Sequence, residues 1–379
     1  MTVRPFAINI ADEKLADLKE RVARTRWTDA VEAGWRYGAD LSYMREIAAY
    51  WRDKYDWRRQ ERALNEFPQF RSRLDGLDIH FIRVEGNGRR PMPLVLTHGW
   101  PSSFAEFSKI IPLLADPAAH GGDARDAFDV IVPSMPGYGF SDRPTKPGAT
   151  ASVVAGLWRR LMTEELGYEK FAAHGGDIGA RVTNALGLYH ADKMIGIHAM
   201  ATPKLNASRL SGLTVAEEAF IATNDEWDRD EGAYSHQQKT RPQTLSLGLN
   251  DSPVGLAAWI IEKWRAWSDC DGDVERRFSK DELLTQVSIY WLTETVGSSV
   301  RMYFEHAHSP ADVWPDRKIE IPARLFLTTE KVDLCPEEWA RRVYADLSYG
   351  RAPKGGHFLA AEEPALLAED IRAFFRPLR

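Results

Sequence analysis

Only two of the 379 residues are cysteine, Cys270 and Cys335. Two thiols build neither a disulfide framework nor a metal cluster, and they suit a reducing compartment, so a cytoplasmic location is expected. Long apolar runs are also missing. Residues 1–10 show no basic start followed by an apolar stretch, and no later run is long enough to span a bilayer. Neither a signal peptide nor a membrane anchor is therefore expected. Positive charge is not in excess, with 49 Lys and Arg against 55 Asp and Glu, a formal net charge of −6. That excludes nucleic acid as a partner, because a phosphate-binding face needs clustered basic residues. Gly/Ser-rich linkers and internal repeats are absent as well, which leaves no flexible joint between independent modules.

What is present is a chain that is 44% hydrophobic, with 13 tryptophans and interspersed charges such as Asp12-Glu13-Lys14. The length fits one large α/β unit with additions. Residues 1–75 read as helices over 11–25 and 41–55, followed by an extended, ordered stretch over 64–70. A hairpin turns at Asp75-Gly76 between strands at 70–74 and 77–84. Strands at 93–97, 126–132, 171–174 and 195–200 then alternate with helices at 104–114 and 152–166, the pattern of a mostly parallel sheet. From 205 to 315 the strand signal disappears. Helices are expected there at 214–231, 252–268, 279–296 and 299–306, as a lid. A strand at 322–328, a helix at 337–346, a last strand within 350–358 and a helix at 364–375 complete the core. The expected division is a wrapping segment 1–75, a core 76–204 and 316–379, and a lid 205–315.

The chain is organised around Phe171-Ala172-Ala173-His174-Gly175-Gly176-Asp177-Ile178-Gly179. It reads as a strand, a tight glycine-lined turn and a helix beginning near Ile178, which is a nucleophile elbow with Asp177 at its apex. Taken alone, the same residues also describe a joint with Asp177 as helix N-cap. Two further groups fall after strands in the order of an α/β-hydrolase triad: an acid, Glu330 or Asp333, and then His357 in Gly355-Gly356-His357-Phe358. The turn Glu330-Lys331-Val332-Asp333 looks like a Gly-Glu-Lys-Asp turn with Val332 inserted, which points to Asp333 while Glu330 stays open. His98-Gly99-Trp100-Pro101 follows the first core strand and places the Trp100 N–H as one oxyanion donor, with the Ile178 N–H as the second.

An aspartate nucleophile is poorly suited to peptides and esters and competent at saturated carbon bearing a leaving group. Epoxides and alkyl halides both fit. An epoxide oxygen needs a hydrogen-bond donor such as a lid phenol, whereas a halide needs N–H donors, often an indole directly after the nucleophile. That position is Ile178, which disfavours the halide.

These residues carry a family resemblance over nearly the whole chain. His98-Gly99-Trp100-Pro101, Pro136-Gly137-Tyr138-Gly139-Phe140-Ser141, His174-Gly175-Gly176-Asp177, Leu249-Asn250-Asp251-Ser252-Pro253-Val254-Gly255-Leu256-Ala257 and Gly355-Gly356-His357-Phe358 resemble the microsomal-type epoxide hydrolases. That group includes juvenile hormone epoxide hydrolases and soluble bacterial relatives. Tyr55-Asp56-Trp57-Arg58 and Leu64-Asn65-Glu66-Phe67 resemble its N-terminal segment. The resemblance implies conversion of an epoxide to a vicinal diol without metal or organic cofactor, in detoxification or aromatic-hydrocarbon catabolism. It puts the nucleophile at Asp177, the general base at His357, and Tyr234 and Tyr303 on the epoxide oxygen. It also implies that the N-terminal segment wraps the lid. The chain departs from the family at Ile178, where many members carry Trp, and in the spacing after the acid. The alternatives are a haloalkane dehalogenase on the same frame or a non-catalytic ligand-binding member. Oligomeric state stays open, a homodimer being one option.

Overall fold

In the computed structural model, residues 3–203, 205–207, 210–309, 314, 317–330 and 333–379 are described. Nine strands form one sheet: β1 (Arg4–Phe6), β2 (Gln69–Leu74), β3 (Leu77–Val84), β4 (Met92–Thr97), β5 (Phe128–Pro133), β6 (Phe171–Gly175), β7 (Met194–Ala199), β8 (Ala323–Leu327) and β9 (Leu347–Arg351). Their order is β1-β2-β3-β5-β4-β6-β7-β8-β9. The β1-to-β5 edge is antiparallel, and every pairing from β5 to β9 is parallel. Strand β6 is buried along its whole length, and β4 nearly so. Helices cover both faces of these central strands, which is why they read as short apolar runs rather than alternating ones.

The helices are α1 (Asp12–Ala23), α2 (Leu41–Asp53), α3 (Trp57–Asn65), α4 (Ile111–Ala115), α5 (Ala151–Arg160) and α6 (Asp177–Tyr189). Between β7 and β8 come α7 (Val215–Asp230), α8 (Ala233–Thr240), α9 (Pro242–Leu249), α10 (Pro253–Trp267), α11 (Lys280–Thr293) and α12 (Val296–His308). The chain ends with α13 (Glu337–Val343), α14 (Leu359–Glu362) and α15 (Pro364–Phe375). The border at Pro315 and the insertion at Val332 lie outside the described residues.

Several expected elements shift, each for a local reason. The stretch read as an extended meander is split: Leu64 and Asn65 close α3, which buries Trp57, Glu61 and Leu64 on one face at i, i+4 and i+7 spacing. Residues 4–6, to which the sequence reading assigns no element, add β1 to the sheet edge. The helix at 104–114 breaks into a 3₁₀ turn, Phe104–Lys109, and α4, with Pro112 in the first turn of α4. The helix of 279–296 stops at Glu294, which turns left-handed at φ 57°. The helix expected at 337–346 ends at Val343, and the last strand begins earlier, at Leu347. Two lid helices were not expected at all, α8 and α9.

The N-terminal helices lie against α10 and α11. Trp51 Nε1 donates to Ser288 Oγ (3.2 Å), and Tyr50 Oη donates to Asp281 Oδ1 (2.9 Å). Tyr55 Oη is 3.1 Å from Thr285 Oγ1, and Arg21 pairs with Asp251. The motif around Asn65 has a physical purpose too. Its side chain accepts from Ile8 N and donates to Ile8 O, both at 2.9 Å, clasping the start of the chain to α3.

Candidate active site

Strand β6 delivers the chain into a turn so tight that Asp177 itself adopts φ 49°. Left-handed backbone at a non-glycine residue is strained and is held only where its surroundings over-determine it. Here the surroundings are backbone against backbone. A Cβ on Gly179 would lie 1.9 Å from Thr97 O, and one on Gly99 would lie 2.4 Å from Asp177 Cβ. Glycine at both positions lets α6 press onto the end of β4 and brings the His98–Pro101 loop against the apex. The N-cap is Gly176, so Asp177 is not spent on capping and its side chain projects from the turn.

The consequence is a defined carboxylate. Asp177 Oδ1 accepts from Trp100 N at 2.9 Å. Asp177 Oδ2 faces His357 Nε2 at 3.6 Å, and the other ring nitrogen, Nδ1, faces Asp333 Oδ2 at 3.8 Å. Glu330 lies on the wall of the same cavity, with its backbone N–H donating to Thr328 Oγ1 (3.2 Å). Of the two acids left open by the sequence, Asp333 therefore stands across from the histidine. Burial pushes the Glu330 carboxyl up to about 7. Burial opposes a charge on His357, yet Asp333 at Nδ1 and the charges of Asp177 and Glu106 outweigh it and push the imidazole up to about 9.

The loop carrying His357 is held by groups the sequence reading passed over. His357 N donates to Trp267 O at 2.8 Å. The Glu362 carboxylate accepts from Asp269 N and Gly356 N (2.9 Å each) and from Phe358 N (3.0 Å). Trp267, at the end of α10, also packs its ring 5.2 Å from the imidazole. The Trp100 loop is fixed in turn by His98. Met135 N donates to His98 Nε2 (3.2 Å), which leaves His98 Nδ1–H to donate to Gly99 O (3.0 Å). Tyr290 of α11 donates to Ser102 O at 2.6 Å, tying the lid to this loop. In the sequence Glu362 is marked only by its place between the His357 loop and Pro364, and nothing there says what it would hold.

Helices α8 and α12 bring two phenols into the cavity that Asp177 lines. Tyr234 stacks on Trp100, with centroids 5.3 Å apart and planes at 7°. Tyr303 meets the same indole edge-on at 5.8 Å, and the two phenol rings are 6.0 Å apart. Burial, and then the nearby Asp177 charge, raise both phenols above their ordinary range, so they are hydrogen-bond donors rather than phenolates near neutral pH. Asp177, Ile178, Tyr234, Tyr303, Asp333 and His357 all line one cavity of about 1460 Å³. Every residue expected at the site thus lies in or beside one space. Among the described residues there is no cluster of three or more His, Cys, Asp or Glu side chains that could hold a metal ion. No helix among them is long and apolar enough to cross a membrane.

A mostly parallel sheet, an elbow after β6 and a histidine loop after the last strand define an α/β hydrolase, and the family model for the alpha/beta hydrolase fold matches residues 92–286. The model for the epoxide hydrolase N terminus matches residues 3–107. A protein of Stigmatella aurantiaca assigned as an epoxide hydrolase is 43% identical, over 100% of this chain and 86% of its own. Epoxide hydrolase 1 of Sus scrofa is 39% identical, over 98% of this chain and 88% of its own. Among solved structures, the juvenile hormone epoxide hydrolase of the silkworm Bombyx mori superposes with a TM-score of 0.89 at 29% identity, covering 100% of this chain and 95% of that one. The Aspergillus niger epoxide hydrolase gives 0.86 at 30% identity, covering 100% and 97%. The chain belongs to the epoxide hydrolases.

Proposed function

We propose that this enzyme opens its epoxide through a covalent alkyl ester on Asp177, which water activated by His357 then hydrolyses. The observation that carries the reading is the asymmetry of the Asp177 carboxylate. Its Oδ1 is held by the Trp100 N–H, while Oδ2 is directed toward His357 Nε2 and shares a cavity with both lid phenols. In the first half-reaction Oδ2 forms a bond to an epoxide carbon as that carbon's bond to the ring oxygen breaks. Tyr234 and Tyr303 donate to the developing alkoxide and supply its proton. In the second, water adds to Asp177 Cγ and gives its proton to His357 Nε2. The oxyanion on Oδ1 rests on the N–H groups of Trp100 and Ile178. Collapse breaks the ester bond, the diol leaves with the proton from His357, and the carboxyl proton left on Asp177 passes to His357, restoring the resting pair.

The resting charge state fits this order. With Asp177 ionised, His357 is pushed up to about 9 and carries a proton. Esterification removes the Asp177 charge, so the imidazole loses one of the charges that hold its proton, passes that proton by way of solvent to the tyrosinate, and becomes a base when a base is needed. Asp333 is the acid in this reading. Residues 205–315 act as the lid over a core of 76–204 and 316–379, and 1–75 as the wrapping segment. A volume of about 1460 Å³, walled by Phe220, Ile221, Trp227, Trp267 and Trp339, suits a bulky apolar epoxide.

The test is rapid mixing with styrene oxide in H₂¹⁸O, followed by mass spectrometry of diol and protein. Wild type is expected to give diol and, over repeated turnovers, label in Asp177. His357→Gln is expected to accumulate an alkyl adduct on Asp177. A diol formed with no adduct and no label in the protein would refute the ester route.

A further inference from the structure

Beside Asp177 lies a second chamber of about 10 Å³, which shares Asp177 and His357 with the large cavity. Its wall includes Asp177, His357, Glu106, Ser102 and His174. That volume is close to the least that can hold one water, and such a site is occupied only where polar groups can bind the water. Here they do. His174 is 1% exposed, and its Nε2 has no partner among the described residues. A buried nitrogen of this kind demands an explanation, and a bound water is the ordinary one.

Its hydrogen-bonding sense follows from the neighbouring strands, where His174, His198 and Arg324 pair in register, and from Asp370 on α15. Arg324 pairs with Asp370 through Nε and Nη2 at 2.9 and 2.7 Å, which keeps that carboxylate ionised. Asp370 Oδ1 is 3.0 Å from His198 Nε2, so His198 carries its proton there and its Nδ1 is an acceptor. His198 Nδ1 lies 3.0 Å from His174 Nδ1, which must be the donor. Both rings are driven toward the neutral form, chiefly by burial. His174 Nε2 is left as a pure acceptor on the chamber wall. Opposite it, Ser102 Oγ hydrogen-bonds Glu106 Oε2, orienting that buried carboxyl.

We propose that this chamber is a single-water site that supplies the hydrolytic water, with His174 and Glu106 as its positioning residues. The proposal rests on the ester reading above. The water gives one O–H to His174 Nε2 and turns the other toward His357 Nε2, leaving a lone pair for Asp177 Cγ. As the C–O bond forms, the O–H bond to the His357 side breaks and its proton passes to Nε2, while the carbonyl electron pair moves to Oδ1. Substrate fills the large cavity, so a water held in the separate small chamber is not displaced by it. Glu106 closes the site and, lying near the imidazole, offsets the charge that His357 gains once Asp177 is neutral as an ester. Burial pushes Glu106 up to about 7, within reach of either form at neutral pH.

The prediction separates the two chemical steps. His174→Leu and Glu106→Leu are expected to alkylate at within about twofold of the wild-type rate and to hydrolyse about tenfold more slowly or worse, the scale of one oriented hydrogen bond to a reacting group. The adduct on Asp177 then dominates the steady state. His174→Gln, whose side-chain oxygen can accept in place of Nε2, is expected to recover most of the hydrolysis rate. The experiment is rapid acid quench with mass spectrometry on wild type, these variants and His357→Gln. A crystal structure of the wild-type enzyme accompanies it and is expected to show one ordered water on His174 Nε2. If His357→Gln accumulates adduct while both leucine variants hydrolyse at the wild-type rate, the chamber proposal fails and the ester reading stands. If alkylation and hydrolysis fall together, His174 is structural and the proposal fails. If a leucine variant does not fold, Glu106→Gln and the wild-type crystal structure decide, and hydrolysis at the wild-type rate with no ordered water in the chamber overturns it. If His357→Gln forms no adduct, the ester reading fails first and takes this proposal with it.

Discussion

At the scale of single residues, the lid phenols and the acid make separable predictions. Tyr234 and Tyr303 flank Trp100 over one carboxylate, so each can hold part of the epoxide oxygen's charge. Tyr234→Phe or Tyr303→Phe is expected to slow alkylation by roughly 100- to 1,000-fold, and the pair to slow it further, since losing one donor at a developing oxyanion costs about that much. Rapid-quench alkylation rates check this, and a double variant that alkylates at the wild-type rate would sink the assignment. Asp333→Asn leaves the His357 imidazolium without its partner at Nδ1. Its hydrolysis rate is expected to drop by about 10²- to 10⁴-fold, and the imidazole's titration midpoint to move below about 9. Glu330→Gln is expected to stay within about threefold. NMR titration of His357 with single-turnover kinetics measures both, and the reverse ranking would hand the role to Glu330. The elbow and the histidine were legible because chain order and glycine spacing are local facts. The choice between Asp333 and Glu330 was not, because both sit in one turn after β8 and only the direction of each side chain in space separates them.

Among the elements, those with strong period or hard punctuation were read correctly and those defined by tertiary packing were missed. α15 starts at Pro364 and ends at Phe375 as expected, because its proline opening and apolar spacing are local. α8 runs Ala-Tyr-Ser-His-Gln-Gln-Lys-Thr, with almost no apolar period, and α9 follows after the single residue Arg241. Both form because they pack on α12, which no window of sequence reveals. Tyr234 rides on α8, so its placement came from resemblance rather than from helix periodicity. The histidine loop is an element of the same kind, shaped by one buried carboxylate. Glu362→Gln replaces an acceptor with a donor and orphans at least one of the three N–H groups it now binds. Each orphaned buried donor costs about 1–3 kcal/mol, so a loss of that order in unfolding free energy is expected. Because the loop carries His357, hydrolysis should fall more than alkylation. Denaturant unfolding and the two single-turnover rates test this together, and an undiminished stability would show that the carboxylate is replaceable.

For the whole molecule, the wrapping helices, the lid and the sheet are joined by polar contacts that set a distinctive response to acid. Burial keeps His80 at about 3, His98 at about 4 and His306 at about 3, and it lowers His174, His190 and His198 as well. Unfolded, each returns to about 6.5 and takes up a proton as the pH falls below that value. The unfolded state therefore binds more protons than the folded state from about pH 6.5 downward, and stability declines with falling pH. Three buried glutamates act the other way. Burial raises Glu106 and Glu330 to about 7 and raises Glu362 too, so between about pH 4.5 and 7 the folded state holds protons that the unfolded state has released. His357, at about 9 when folded, is protonated in both states below 6.5 and adds stability that fades only as the pH climbs from 6.5 through 9. Six histidines against three glutamates leave the acid-sensitive direction in control below about pH 6. Each net proton is worth roughly 1.4 kcal/mol per pH unit. Below about pH 4 the loss steepens, because Asp370, held at about 2 against burial by His198 and Arg324, must also be protonated in the unfolded chain. Unfolding free energy is therefore expected to fall by at least about 1 kcal/mol between pH 6 and 5, and to fall again as the pH rises from 7 through 9, where the His357 contribution fades. Denaturant titrations across that range measure it. A flat profile down to pH 5 would mean that the buried histidines are charged in the folded state, which would also undo the tautomer sequence from Asp370 to His174.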